Sequence, residues 1–112
     1  MRSFRVIMEE GPNMVAVVVP DLEANVLYAN WAFHRALEVP PKQLLGRSLW
    51  ELLHQADHLP VRNALISVIL SKNSPSSHVP CRLLAPRPDV FLCIQISLAM
   101  GTQGVICVFW EA

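Results

Sequence analysis

Three cysteines and four histidines are the residues with the most obvious capacity for chemistry. Thiolates and imidazoles are common zinc ligands, and paired cysteines form disulfides in oxidising compartments. Cys81, Cys93 and Cys107 are odd in number, and each lies in a different apolar segment. No two of them form the Cys-x-x-Cys pair that a zinc site with His78 would need. We therefore expect reduced thiols packed among apolar side chains, with neither a disulfide nor a metal site.

Arrangements typical of catalysis are missing from the sequence. It has no nucleophile–base pair, no carboxylate dyad, no His–Glu metal spacing and no glycine-rich phosphate loop. We therefore predict that the chain is not an enzyme and that any catalysis lies in an attached domain.

Composition narrows the class of protein further. A chain of 112 residues that is 53% hydrophobic and 16% charged predicts one compact domain. Its nine basic and nine acidic residues cancel without a cationic cluster, so we expect no direct contact with nucleic acid or an anionic membrane. The apolar runs are far shorter than the roughly 20 residues of a membrane span, and no secretory signal is recognisable. We predict an intracellular protein, cytoplasmic or nuclear.

The start of the chain predicts a helix that precedes the main domain. Apolar side chains within residues 3–10 have helical spacing, and Gly11 and Pro12 end that segment. We assign residues 1–11 to an N-terminal amphipathic lead-in helix and residues 12–112 to the domain proper.

Local signals then predict a hairpin and several short helices. The β-branched run 14–19 and the run 25–29 predict two paired strands. Asn30 is a good N-cap for a following helix. Ser48 with Glu51 has the spacing of a capping box, which predicts another helix start.

The second half predicts the longest helix and three strands. Residues 57–72 have helical character, and their expected core face is Leu65, Ile66, Ile69 and Leu70. The predicted strands are 79–84, 90–98 and 104–110. Two strands, a helical region and three strands predict an α+β fold, a five-stranded antiparallel sheet with helices on one face.

Several stretches resemble the PAS (Per-Arnt-Sim) family over nearly the whole chain. Residues 26–37 resemble its strand leading into an "N-x-A-F" helix, residues 44–57 its "L-I-G-R-S-x-x-E-L-x-H-P-x-D" stretch, and residues 104–109 its closing strand. The chain departs from the pattern at Glu38-Val39, Gln55-Ala56 and Arg87-Pro88, which indicates a divergent member. The resemblance implies a sensory and protein-interaction module that dimerises through its sheet and signals to an attached output domain.

Cofactors of better-known relatives are not expected. The resemblance places Leu49 where flavin-adduct (LOV) relatives have their reactive cysteine. Non-covalent flavin is also not expected, because the edge of its isoalloxazine ring needs polar partners. The strands that face the pocket supply apolar residues such as Leu92 and Ile94 instead. A haem-binding relative would need a histidine about one turn further into the long helix than His58, which is the nearest candidate ligand. We expect His34 and His78 at the surface.

A sensor that binds a small apolar molecule or haem between the sheet and the helices is an open alternative, as is a core in which the same side chains fill that space. The candidate pocket residues are Phe33, Leu37, Leu49, Leu53, Leu65, Ile69, Leu92, Ile94, Ile96 and Phe109.

The last strand is apolar on both faces, which is typical of a strand covered on both sides. We therefore predict a homodimer or a PAS–PAS heterodimer. The candidate interface residues are Phe4, Ile7, Met8, Phe91, Cys93, Ile106, Val108 and Trp110. In the alternative, the lead-in helix covers its own sheet in a monomer. Because the sequence ends on a predicted strand, we expect it to be one module of a larger signalling or transcription-regulating protein.

Overall fold

The computed structural model describes residues 13–38, 41–71, 74–84 and 91–111. The strands are β1 (Met14–Val18), β2 (Val26–Ala29), β3 (Val79–Leu84), β4 (Phe91–Met100) and β5 (Val105–Glu111). The helices are α1 (Trp31–Leu37), α2 (Pro41–Leu44), α3 (Leu49–Leu52) and α4 (His58–Ser71), with a 3-10 turn at Gln55–Asp57. The predicted lead-in helix, with Phe4, Ile7 and Met8, lies outside the described residues.

The five strands form one antiparallel sheet in the order β2-β1-β5-β4-β3. The two edges, β2 and β3, are consecutive strands in the sequence, so the helical segment between them must pass from one edge to the other. It does so across one face, where α1 contacts β1 and α4 contacts β3, β4 and β5. The predicted α+β fold is confirmed.

Alternation along the strands divides the sheet into a core face and an outer face. On β5, Val105, Cys107 and Phe109 are buried in the core, whereas Ile106 and Val108 are half-buried on the other side. On β4 the buried core residues are Ile94, Ile96 and Leu98. The predicted division of both strands is confirmed, because successive strand residues point to opposite faces.

Both predicted helix starts are present. The Oδ1 atom of fully buried Asn30 accepts hydrogen bonds from the Phe33 N–H at 3.1 Å and the Val15 N–H at 3.0 Å. Asn30 thereby joins the start of α1 to the hairpin as well as capping it. Ser48 and Glu51 form the predicted capping box at α3.

The core face predicted for α4 is wrong, because a different side of the helix faces the sheet. The buried residues are Val61, Leu65 and Val68, whereas Ile66 and Ile69 are half-buried and Leu70 is 78% exposed. Apolar residues occur on every side of this helix, so helical spacing alone does not identify which side the sheet covers.

No helix in the described ranges is long and apolar enough to cross a membrane.

Candidate functional site

The ten candidate pocket residues come together in one apolar cluster between the sheet and the helices, which we call the helical cradle. Eight of them are buried, and Ile69 and Leu92 pack against the others from half-buried positions. The Phe33 and Phe109 rings meet edge to face with centroids 5.1 Å apart. The cradle thus joins α1 directly to β5, through a ring geometry that aromatic pairs favour.

His34 follows Phe33 on α1, and the prediction that it is a surface residue is wrong. Its side chain is buried, since α1 turns this position towards the protein rather than towards solvent. Nε2 lies 3.1 Å from the Ala29 carbonyl, so this nitrogen must carry the proton and donate it. In the neutral imidazole with this tautomer Nδ1 is an acceptor, and it is buried with no hydrogen-bond partner in the described part of the chain.

The other histidines have local structural contacts. His58 Nε2 lies 3.0 Å from the Leu53 carbonyl, and its ring lies 5.6 Å from the Trp50 ring. His54 Nδ1 accepts the Ala56 N–H at 3.1 Å. His78 is exposed, as predicted. Across residues 13–38, 41–71, 74–84 and 91–111, no three His, Cys, Asp or Glu side chains are grouped so that they could hold a metal ion.

The outer face of the sheet brings together the described residues of the predicted interface. Register places Val108 opposite Val15 on one side and Ser97 on the other, and places Ile106 between Val17 and Ala99. This central band of the outer face is apolar on β1 and β5 and continues onto β4 at Ala99, while Ser97 is its polar position.

Trp110 extends that band and is held in place by polar contacts. Its Nε1–H donates to Ser97 Oγ at 2.9 Å, and its ring stacks on His78 with centroids 5.2 Å apart. The Gln95 side chain contacts His78 in turn, at 3.3 Å. A tryptophan ordered in this way can contribute to an interface with little further loss of side-chain entropy.

Exposure on the outer face increases from β1 towards the β4 side. Val15 and Val17 are buried, Ile106, Val108 and Trp110 are half-buried, and Phe91 is 38% exposed. The apolar outer-face residues of β1 and β5 are adjacent, and an apolar surface of this kind is typical of an interaction site.

The three thiols differ in accessibility. Cys93 is exposed on the outer face, and Cys81 and Cys107 are buried on the core face. Burial, with a contribution from the Asp57 carboxylate, raises the pKa of Cys81 to about 12. Burial also raises the pKa of Cys107. The two buried thiols are therefore poor nucleophiles, because the thiolate is the reactive form.

An ion pair that the sequence did not suggest connects the helical segment to the edge strand β3. Asp57 Oδ2 accepts from the Arg82 backbone N–H at 2.8 Å and from Nε at 2.9 Å, while Oδ1 accepts from Nη2 at 3.1 Å. The Arg82 carbonyl accepts the His54 N–H at 2.9 Å. The hydrogen bonds from Arg82 hold the pKa of Asp57 below its ordinary value.

Asp57→Asn is expected to lower the free energy of unfolding by about 1–2 kcal/mol at pH 7, since Arg82 is partly solvated. A carboxylate with a lowered folded pKa stabilises the protein above about pH 4 and loses that effect as pH falls through the folded value. The difference in unfolding free energy between wild type and Asp57→Asn, measured with urea, should therefore become smaller as the pH is lowered from 7 towards about 3. Glu23→Gln, at an exposed carboxylate, is the control and should change little. A difference that is equally large at both pH values would contradict the assignment.

An open groove of about 730 Å³ lies where β1 begins and β5 ends, beside α1. The residues that line it are Asn13, Met14, Ala32, Arg35, Ala36, Phe109 and Trp110. Sequence reasoning placed Phe109 in the pocket and Trp110 in the interface, and it assigned no role to Arg35. The groove therefore lies where the cradle and the outer face meet.

Comparison with known proteins places this geometry in a family. A family model described as the PAS fold, PAS_4, matches residues 8–112. The search of curated proteins finds no match.

Solved structures with this fold include PAS domains from several organisms. The PAS domain of an HTR-like protein from Haloarcula marismortui has a TM-score of 0.71 and 19% identity, covering 94% of this chain and 84% of that one. A domain of a sensory box sensor histidine kinase/response regulator from Geobacter sulfurreducens has a TM-score of 0.73 and 16% identity, with coverages of 97% and 90%. The PAS domain of nitrogen regulation protein NR(II) from Vibrio parahaemolyticus has a TM-score of 0.71 and 13% identity, with coverages of 99% and 100%.

Proposed function

The chain belongs to the PAS fold family, and from this we propose that it is a sensory and protein-interaction module of a larger signalling or transcription-regulating protein. Domains from a sensor histidine kinase and a nitrogen regulation protein share its fold, which supports a role in signalling. The module acts by pairing with a second PAS domain, identical or different, and any catalysis lies in an attached output domain.

The observation that carries this proposal is the apolar outer face. Ile106, Val108 and Trp110 alternate with the core residues of the same strand, so β5 has no polar side. A sheet face in contact with water normally carries polar residues at these positions. A partner sheet or helix laid on this face would remove the apolar band from water. The lead-in segment, with Phe4, Ile7 and Met8, is the part of the chain that we propose to pack there with the partner.

The strand β5 also connects the helical cradle to the outer face of the sheet, because its residues alternate between the two. Phe109 contacts Phe33 in the cradle, and its neighbours Val108 and Trp110 lie on the outer face. A packing change in the cradle that moves Phe109 must therefore shift the backbone that carries the interface residues. We propose that ligand or partner binding near α1 alters association in this way, by favouring one of two packings.

Sedimentation equilibrium of the unmodified chain between about 5 and 100 µM tests the association. The expected result is a mass that rises with concentration towards twice the 12.5 kDa of one chain. A mass of one chain at every concentration would show that the outer face does not mediate self-association.

The alternative function is a sensor that binds a small apolar molecule or haem in the helical cradle. The buried Nδ1 of His34, without a partner among the described residues, favours it because a ligand hydroxyl or amide could donate to this nitrogen. A native mass spectrum and an absorbance spectrum of the purified protein test it. A retained molecule with its mass, or haem absorbance, supports this function, and a clean apo mass supports a packed cradle.

A further inference from the structure

The long helix α4 has a second apolar side that faces away from the sheet. Eight of its fourteen residues are Leu, Ile, Val or Ala, and Arg62 is its only Lys, Arg, Asp or Glu. Leu59, Ile66 and Leu70 lie at i, i+7 and i+11, so they form one line along the helix. Leu59 is 65% exposed and Leu70 is 78% exposed. We call this line, with Asn63 between Leu59 and Ile66, the α4 stripe.

A shallow groove of about 260 Å³ runs along the C-terminal half of the stripe. The residues that line it are Pro20, Asp21, Leu22, Ile66, Ile69 and Leu70. Leu22, which is half exposed, forms the opposite wall in the turn between β1 and β2. The surface therefore has a protruding leucine, Leu59, at one end and a hollow between two leucines at the other.

From this arrangement we propose that the α4 stripe binds the α4 stripe of a second copy of this chain, with the two helices antiparallel. Leu59 and Leu70 are about 16 Å apart along the helix, three turns. Antiparallel pairing brings Leu59 of each copy to the groove beside Leu70 of the other. A two-fold interface requires this kind of self-complementary surface.

The charges beside the stripe fit the same arrangement. Asp21 lies at the groove, where its Oδ1 accepts the N–H groups of Glu23 and Ala24 and the turn thereby holds the carboxylate in place. Arg62 is exposed, makes no ion pair with another described residue, and lies on the same flank of α4 as Ile69, seven residues earlier. When two copies pair antiparallel, the Arg62 of each faces the Asp21 of the other. Asn63 near the centre supplies a polar group that can fix the register.

This surface is separate from the outer sheet face, so the two associations can be tested independently. The stripe and Leu22 expose only three large apolar side chains, far fewer residues than the roughly 20–30 that each partner of a stable interface contributes, so we expect weak binding. The experiment is sedimentation equilibrium up to about 500 µM on the Trp110→Glu background, where the sheet association is weakened. The expected result is residual self-association, which Leu70→Asp weakens at least about tenfold. Ser71→Asp, which adds the same charge to the exposed last residue of α4, about 100° around the helix from Leu70, is the matched control.

The ion pair is tested by a double-mutant cycle on the same background. Asp21→Asn keeps the oxygen that caps the turn, and Arg62→Gln keeps the length of the side chain. Each change should raise the dissociation constant about threefold, and the double variant should be no weaker than either single one. The proposal would be overturned if the Trp110→Glu chain stays monomeric, or if adding Leu70→Asp to it does not weaken its self-association. The stripe would then be a binding surface for a different protein. If Trp110→Glu does not weaken the wild-type association, the sheet proposal fails instead.

Discussion

Replacing Trp110 by glutamate is expected to raise the dissociation constant of the sheet-mediated pair by about 30-fold or more, or 2 kcal/mol and above. The tryptophan lies at the end of the apolar band and is already ordered by its bond to Ser97 and its stacking on His78. A carboxylate at this position would have to lose water against apolar groups of the partner. Sedimentation equilibrium of the two proteins at matched concentrations measures the change.

A second tryptophan provides a matched control for that experiment. Trp31 is 60% exposed at the start of α1 and lies off the outer face, so Trp31→Glu should leave the association unchanged. If Trp110→Glu unfolds the chain, Phe91→Glu tests the same face at a position that is already partly in water. Equal weakening by Trp31→Glu and Trp110→Glu, or no weakening by Trp110→Glu and Phe91→Glu in folded protein, would show that the outer face is not the interface.

Truncating Phe33 to alanine is expected to cost about 3–5 kcal/mol of unfolding free energy. Phe33 is fully buried and meets the Phe109 ring edge to face in the cradle. Its removal takes apolar area out of the core and leaves a cavity that closely packed neighbours only partly fill. The loss is a large part of the total stability of a small domain, so urea unfolding should show a clearly lower midpoint.

The size of that loss also distinguishes a packed cradle from a ligand cavity. Phe33→Leu, which keeps most of the volume, serves as the control and should cost less than about 1.5 kcal/mol. A loss below about 1.5 kcal/mol for Phe33→Ala itself would mean that the ring faces space rather than neighbours. That result would favour the small-molecule function over a core of filled side chains.

The fold could be predicted from the sequence because its signals are local. Asn30 and Ser48 carry caps that depend on residues within one helical turn, and they begin helices as expected. Alternation on β4 and β5 separates the core face from the outer face with a period of two, which needs no knowledge of neighbouring strands.

The parts of the site that sequence reasoning missed depend on tertiary contacts. Asp57 and Arg82 are 25 residues apart, and only the sheet edge brings them together. The phase of α4 was predicted wrongly because the helix is apolar on both sides, so only the position of the sheet decides that Val61 is buried and Leu70 is exposed. The burial of His34 similarly depends on how α1 packs against the hairpin.

The most direct test of the interaction surface is a set of methyl spectra recorded from about 10 to 500 µM on protein labelled at valine and isoleucine. Ile106 and Val108 lie on the outer face of β5, and Val105 lies on the core face of the same strand, so one strand contains both probe and control. Association through the outer face predicts that the Ile106 and Val108 signals shift or broaden with concentration while the Val105 signal does not. Unchanged Ile106 and Val108 signals over the whole range would contradict it.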